Sequence, residues 1–311
     1  MRISTIQKGL VLGLISLISF ALRLQAQQLP LYSEYMFNTF EINPAYAGGR
    51  DAIQITTMFR KQWTGFKTAP QSTFLSVDMP VTDKRIGLGL KIVDDRDEIT
   101  KTVGAQGAYS YKIPLGDYSA LAFGLQAGAM NFKSDFTEVD VIDPNDPSFS
   151  QVVNSVKVNF GTGAFFNTEN FFVGLSIPNL IKQNLKKNSI DNPGDIKQNT
   201  HIYFNTGYVF HLNDDFVVKP SVLVRGLVGS PVSVDVNTNL WIADMLSLGA
   251  SYRNKSAIVG IINLRVLPEL YMGYAYDHSI SRLNIIAKGS HEVILRYEIP
   301  IGRTSLSPRY F

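Results

Sequence analysis

Histidine is the residue of this 311-residue sequence best equipped to bind a metal or carry a proton, and it occurs four times, at His201, His211, His278 and His291. Histidine metal sites usually show as short spacings that bring two rings to one ion. His201 and His211 share a predicted strand face but stand ten residues apart, and no compact set of carboxylates accompanies any of the four. Their expected place is a polar lining or a loop. Cysteine is absent, which removes disulfides, thiolate zinc sites, thiol catalysis and a lipid-modified N-terminal cysteine. The stretch DVIDPNDPSF, Asp140 to Phe149, gathers Asp140, Asp143, Asn145 and Asp146 and has the oxygen donors of a calcium site. It lacks the loop spacing and distal Glu of a helix-loop-helix calcium site, and Asp-Pro and Asn-Asp pairs are ordinary turn formers. The glycine pairs beginning at Gly87 (GLGL) and Gly161 (GTGA) lie inside strand-like sequence with no following helix and no GK[ST]. They read as room for a second backbone near a wall, not as phosphate loops. A hydrolase would need His, Ser and an amide together on one wall, and no such pairing is visible. The expectation is a protein without catalytic, cofactor or metal sites.

The elements that would carry these residues begin with an exported chain. A content of 45% hydrophobic and 18% charged residues supports a large buried surface and excludes disorder over most of the length. Arg2 and Lys8 precede an apolar run from Gly9 to Leu22, and LQA precedes Gln27. That is the pattern of a signal peptide, residues 1–26, cleaved after Ala26. As an anchor the run falls short of the roughly 20 apolar residues needed to span a bilayer. Removing Arg2, Lys8 and Arg23 takes the basic count from 29 to 26, equal to the 26 acids. A neutral chain without a basic cluster is not expected to bind nucleic acid. Without disulfides it must be held by packing or by a bilayer.

After Asp51 the sequence falls into fourteen short segments of period two, as in strands with different environments on their two faces. One sets Ile86, Leu88, Leu90 and Ile92 against Gly87, Gly89 and Lys91. Another sets Ile202, Phe204, Thr206, Tyr208 and Phe210 against His201, Asn205, Gly207 and His211. Two more set Val232, Val234, Val236 and Leu240 against Ser233, Asp235, Asn237 and Asn239, and Val293, Leu295, Tyr297 and Ile299 against Glu292, Arg296 and Glu298. Charges and amides in mid-strand must face water or a polar lumen. Connections near Pro80, Pro114, Asn167, Leu212, Ile242 and Leu267 are short, whereas 64–70, 94–101, 133–156, 178–200 and 277–290 are longer; the two at Gly226 and Arg253 are brief. Short turns on one side and longer loops on the other are the mark of a barrel threaded through an outer membrane. Tyr111, Tyr118, Phe166, Phe171, Phe210, Phe216 and Trp241 fall at the predicted short-turn ends and Trp63, Tyr252 and Tyr276 at the other, as two girdles would. The predicted fold is therefore all-β, a transmembrane outer-membrane barrel of about fourteen antiparallel strands over residues 51–300.

The stretch YSEYMFNTFEINPAYAGG, Tyr32 to Gly49, reads as neither a good helix nor a good strand. Left in water its rings would forgo about 25 cal/mol per Å² of apolar area, so residues 27–50 are expected to plug the barrel mouth or dock on a partner in the periplasm. Pro44 and the Gly48-Gly49 pair suit a sharp bend into the first strand at Ile53. LPLYSEYMFNTFEINPAYAGGRD and the following FRKQWTGFKTAPQS resemble the start of the PorP/SprF family of outer-membrane proteins of the type IX secretion and gliding machinery. GYAYD (Gly273 to Asp277), HEVILRYE (His291 to Glu298) and SPRYF (Ser307 to Phe311) extend the resemblance to the last residue.

The resemblance implies a non-enzymatic barrel, seated in outer-membrane lipid, that helps large adhesin-like surface proteins become displayed and linked to periplasmic motor and secretion components. Its blocks nominate Tyr32, Tyr35, Phe37, Asn43, Pro44, Tyr46, Arg60 and Trp63, with Pro308, Arg309, Tyr310 and Phe311, as partner-binding residues. An even strand count would bring Tyr32–Gly49 and the tail, residues 301–311, out on the same periplasmic side. The alternative reading, also open to a plugged fourteen-strand barrel, is an outer-membrane transporter of hydrophobic solutes; an apolar lumen pocket or a lateral wall opening would favour it.

Overall fold

Alternation becomes a closed wall in the computed structural model, which describes residues 32–65, 68–81, 85–138, 152–181, 183–184, 197–198, 200–227, 231–281 and 288–301. The signal-peptide region, the aspartate-rich stretch and the tail from 302 lie outside the described residues. The strands in chain order are β1 (Ala52–Lys61), β2 (Gln71–Val81), β3 (Ile86–Asp97), β4 (Thr100–Pro114), β5 (Ala120–Asp135), β6 (Val152–Asn167) and β7 (Phe171–Ile177). The series continues with β8 (His201–Tyr208, resuming at Phe210–His211), β9 (Phe216–Leu227), β10 (Ser233–Ile242), β11 (Leu246–Arg253), β12 (Ala257–Leu267), β13 (Leu270–Ser279) and β14 (Ser290–Pro300). β8 pauses because the Val209 amide donates to the Asn170 carbonyl (2.7 Å) instead of to a neighbouring strand. A further two-rung ladder joins Gln183–Asn184 to Lys197–Gln198.

Each strand pairs antiparallel with its sequence neighbours, and β1 closes the ring against β14 in unbroken register from Ala52↔Pro300 to Lys61↔His291. The result is a closed fourteen-strand barrel with no free edge to its wall order. All six short connections fall at one end, and five of the seven connections at the other end span five to 23 residues.

The wall is inside out relative to a protein in water. Ile55, Phe59, Leu90, Phe123, Leu125 and Val293 are exposed, while Gln54, Arg60, Asp78, Asn237, Glu292 and Arg296 are buried. A soluble sandwich would bury the first set and expose the second. Lipid on the outside reconciles the two, because hydrocarbon satisfies the apolar face and the closed ladders leave few backbone groups unpaired. Among the described residues no helix is long and apolar enough to cross a membrane.

Two local expectations are corrected. The connection at 94–101 is a tight turn at Glu98 and Ile99, with Glu98 at φ 47°, because β3 and β4 run on past the apolar belt. There the outward face can carry charge: Asp94 pairs with Arg96 at 3.0 Å and with Lys101 at 3.9 Å. Trp241 does not join the outer girdle. It is in register with the buried Val217 and Ser247, so its ring points inward and packs, tilted, at 5.8 Å from that of Phe37.

Candidate functional site

The lumen is occupied by the chain itself. From Tyr32 to Gly49 the chain makes one helical turn, α1 (Thr39–Ile42), and one 3-10 turn, Pro44–Tyr46, joined by irregular backbone. Proline at the first position of the 3-10 turn loses no needed amide, and Asn43 caps that turn by accepting from the Ala45 amide (3.0 Å). Tyr32, Tyr35, Phe40, Ile42, Asn43 and Tyr46 are all buried.

Irregular backbone in a closed interior needs partners for its carbonyls, and lumen-facing side chains of the wall supply them. Lys219 donates to the Met36 carbonyl (3.4 Å), Arg296 to that of Phe37 (2.8 Å) and Lys91 to that of Glu41 (3.2 Å). Ser176 donates to the Ile42 carbonyl (2.7 Å), Ser110 to that of Ala47 (2.6 Å) and Lys112 to that of Gly49 (3.4 Å). Cation and ring also meet: Lys91 sits 4.6 Å from the Phe40 centroid, and Lys219 sits 5.0 Å from that of Trp241. The segment forms neither a standard helix nor a strand because the barrel replaces the ladder that either would provide.

At the long-loop end the fastening is ionic. The Glu292 carboxylate accepts from the amides of Ser33 (2.7 Å) and Glu34 (2.9 Å), and Arg60 bridges Glu292 (2.9 Å) and Asp277 (2.6 Å). The Ser33 hydroxyl donates to Asp277 (2.7 Å) and accepts from Arg60 (3.1 Å). Arg253 adds contacts to Asp235 (2.9 Å) and Asp277 (3.4 Å). Two acids of the segment stand apart from this network. Burial, reinforced by the nearby Glu292 charge, holds the Glu34 carboxyl well above the usual range. Burial also pushes Glu41 up to about 8, against the pull of Lys91. The Tyr32 and Tyr35 hydroxyls are likewise raised by burial and stay neutral.

At the short-turn end the fastening is shape. A Cβ on Gly87 would collide with the Ala47 carbonyl, and one on Gly124 with the backbone of Pro44 and Ala45. Around this close approach Phe40, Tyr46, Phe165 and Phe172 form an apolar cluster, with Tyr46 edge-on to Phe165 at 5.3 Å. The Gly48 amide donates to Asp78 (2.9 Å), completing the bend into β1. Beside it a cavity of about 230 Å³ opens at the short turns, lined by Arg50, Arg265, Arg296, Glu298, Trp241 and Met36 among others. Six charged residues and three aromatic ones share its lining, so it is not an apolar tunnel. Among the described residues no cluster of His, Asp and Glu could hold a metal.

Of the nominated residues, Tyr32, Tyr35, Asn43, Pro44, Tyr46 and Arg60 are buried against the chain's own wall, and Phe37 is packed on Trp241. Trp63 is 38% exposed, with its amide donating to Ser290 Oγ (3.1 Å). Pro308, Arg309, Tyr310 and Phe311 lie outside the described residues. One expectation is overturned: Tyr32 and Ser33 sit at the long-loop end, opposite the end where β14 delivers the tail. The segment traverses the lumen instead of ending at one mouth. Sequence reasoning named Arg60 but missed its partners Asp277 and Glu292 and the neighbouring Arg253–Asp235 pair. Their signal was present, as charges at alternate positions inside strands.

A membrane-spanning β-barrel closed by its own N-terminal segment is thus the class of protein that the geometry defines. The chain belongs to the PorP/SprF family of type IX secretion system membrane proteins, which it matches over residues 24–297, and its place is the outer membrane. No curated protein matches it. Among solved structures it is similar to the CymD monoaromatic hydrocarbon channel (10% identity, 88% of this chain, 94% of that chain, TM-score 0.50). It is also similar to the Acinetobacter baumannii outer membrane protein Omp33 (10% identity, 81% and 100%, TM-score 0.43). A third is the TodX deltaS2S3 mutant monoaromatic hydrocarbon channel (9% identity, 91% and 98%, TM-score 0.48).

Proposed function

We propose that this barrel is a non-enzymatic anchor of the type IX machinery that supports secretion or surface display of a large adhesin-like protein and links it to periplasmic components. The observation that carries this reading beyond family membership is the occupied lumen. Side chains from nine strands of the ring fix Tyr32–Gly49 across the lumen, where a polypeptide or a hydrophobic solute would otherwise pass. Such a barrel works through its two rims. The long-loop rim, with Trp63, faces outward and receives the surface protein; the short-turn rim, with Pro308, Arg309, Tyr310 and Phe311 in the tail that follows it, faces the periplasmic components.

Deleting Ser305–Phe311 tests the assignment. Under this proposal the barrel inserts at normal abundance while the surface protein disappears from the cell exterior. Unchanged surface display with normal insertion would remove the tail from the docking role, and loss of the barrel itself would make it an assembly element. Protease sites placed in 178–200 should be cut on intact cells, and sites at Leu212 protected; the reverse would invert the topology.

A further inference from the structure

The outward wall carries one basic patch that the lumen and its segment do not use. At the long-loop ends of β13, β14 and β1, Tyr276, His291 and Lys61 lie side by side in register, all on the lipid-facing side. Directly paired residues on one face hold their side chains roughly 5 Å apart at Cβ. Just beneath them the face is apolar, with Phe59 and Val293 exposed. The patch therefore marks the boundary where hydrocarbon gives way to headgroups.

Its parts are fixed in place. The Tyr274 hydroxyl lies 2.6 Å from His291 Nδ1, and the Tyr276 hydroxyl donates to the Lys288 carbonyl (2.7 Å). The Tyr276 and His291 rings are 5.1 Å apart. Beyond the strands the β1–β14 pairing continues through Thr64 N to Gly289 O (2.8 Å) and Lys288 N to Thr64 O (2.7 Å), which places Lys288 opposite Thr64, three positions past the Lys61–His291 pair towards the rim. Gly289, at φ 103°, permits this approach, because a Cβ there would stand 2.6 Å from the Tyr276 hydroxyl.

No acid balances these cations. Other outward lysines near this rim, Lys101 and Lys133, each have a carboxylate within 4.0 Å. Lys61, Lys288 and His291 have no ion pair among the described residues, and neither adjoining connection, 62–70 or 280–289, contains Asp or Glu in its sequence. Lysines on successive levels of one seam at the headgroup boundary, flanked by amphipathic rings and without a protein counter-ion among the described residues, are complementary to a phosphate carried on a lipid.

We infer that Lys61, Lys288 and His291, framed by Tyr274 and Tyr276, form a binding site for the phosphate of an anionic lipid in the leaflet on the long-loop side. The test uses the full barrel, purified in mild detergent, with bisphosphorylated lipid A, its dephosphorylated form, or inorganic phosphate as the probe, and counts retained lipid by native mass spectrometry. The phosphorylated lipid should be retained in preference to the dephosphorylated one. Lys61→Gln and Lys288→Gln should each lower that retention about fivefold, the effect of one cation near a charged headgroup. Lys133→Gln should not lower it. Heat-dependent gel migration confirms that each variant is folded, and Lys288→Gln, lying outside the strands, keeps the test valid if Lys61→Gln assembles poorly. Equal retention of the two lipids, or undiminished retention by both variants, would each overturn the site.

Discussion

The two ends of the inserted segment are held by different physics. At the long-loop end Ser33 and Glu34 are gripped by ionised side chains, Arg60, Asp277 and Glu292, each at most 4% exposed at the side chain. At the short-turn end Ala45 to Gly48 lie against glycines, Gly87 and Gly124, and against a cluster of rings. Buried charges give direction and register but are costly to leave unpaired. Backbone packed on glycine is indifferent to charge and intolerant of volume. One end should therefore fail on loss of a partner and the other on gain of a methyl group.

The largest effect is expected from Arg60→Ala. It removes the cation that bridges two buried carboxylates, so the folded barrel should lose about 3–5 kcal/mol, read as a lower temperature for the heat-dependent gel shift. A variant as resistant to heat as the parent would show that the network contributes no net stability. Gly124→Val attacks the other end and should cost about 1–3 kcal/mol by overpacking. Here the barrel should persist while Tyr32–Gly49 becomes open to protease, since the wall closes through β1 and β14 without it.

Acidity separates the ends further. Glu34 and Glu41 are raised in the folded protein, so the folded state holds protons that the unfolded chain would release. Their stabilisation is complete below the ordinary carboxylate range and is lost as pH climbs towards about 8, the value to which Glu41 is pushed. Heat resistance should thus fall across that window. Glu34→Gln should flatten the fall, and Gly124→Val should leave its slope alone. A slope unaffected by Glu34→Gln would place the sensitivity elsewhere. The smallest effect belongs to Trp63→Ala: at 38% exposure it should change stability by no more than about 0.5 kcal/mol, so any loss of surface display it causes would report on partner contact.

Much of the wall was legible because alternation is local. In β3 the outward Leu88, Leu90 and Ile92 and the inward Gly87, Gly89 and Lys91 are separated by the two-residue period alone. Where the period met a charged run past the membrane, as at Asp94 to Asp97, the strand was cut short, since solvent outside the belt accepts what lipid would not. Trp241 misled for a related reason: a large ring at a strand end suits either a girdle or an inward stack, and register with Val217 and Ser247 decides.

The sequence by itself determined that this chain makes fourteen strands with a lipid face and a polar face, where the short turns fall, and that an aromatic segment ahead of the first strand must find cover. Those are properties of neighbours a few residues apart and of apolar area. Only the tertiary structure decided which way that segment runs, and which wall residues hold it. Ser33 meets Glu292 across 259 positions because β1 and β14 close in one register out of several that the same alternation allows. Once that register is set, Arg60, Asp277 and Glu292 converge on a single point in the lumen, and no spacing within any one strand encodes their meeting.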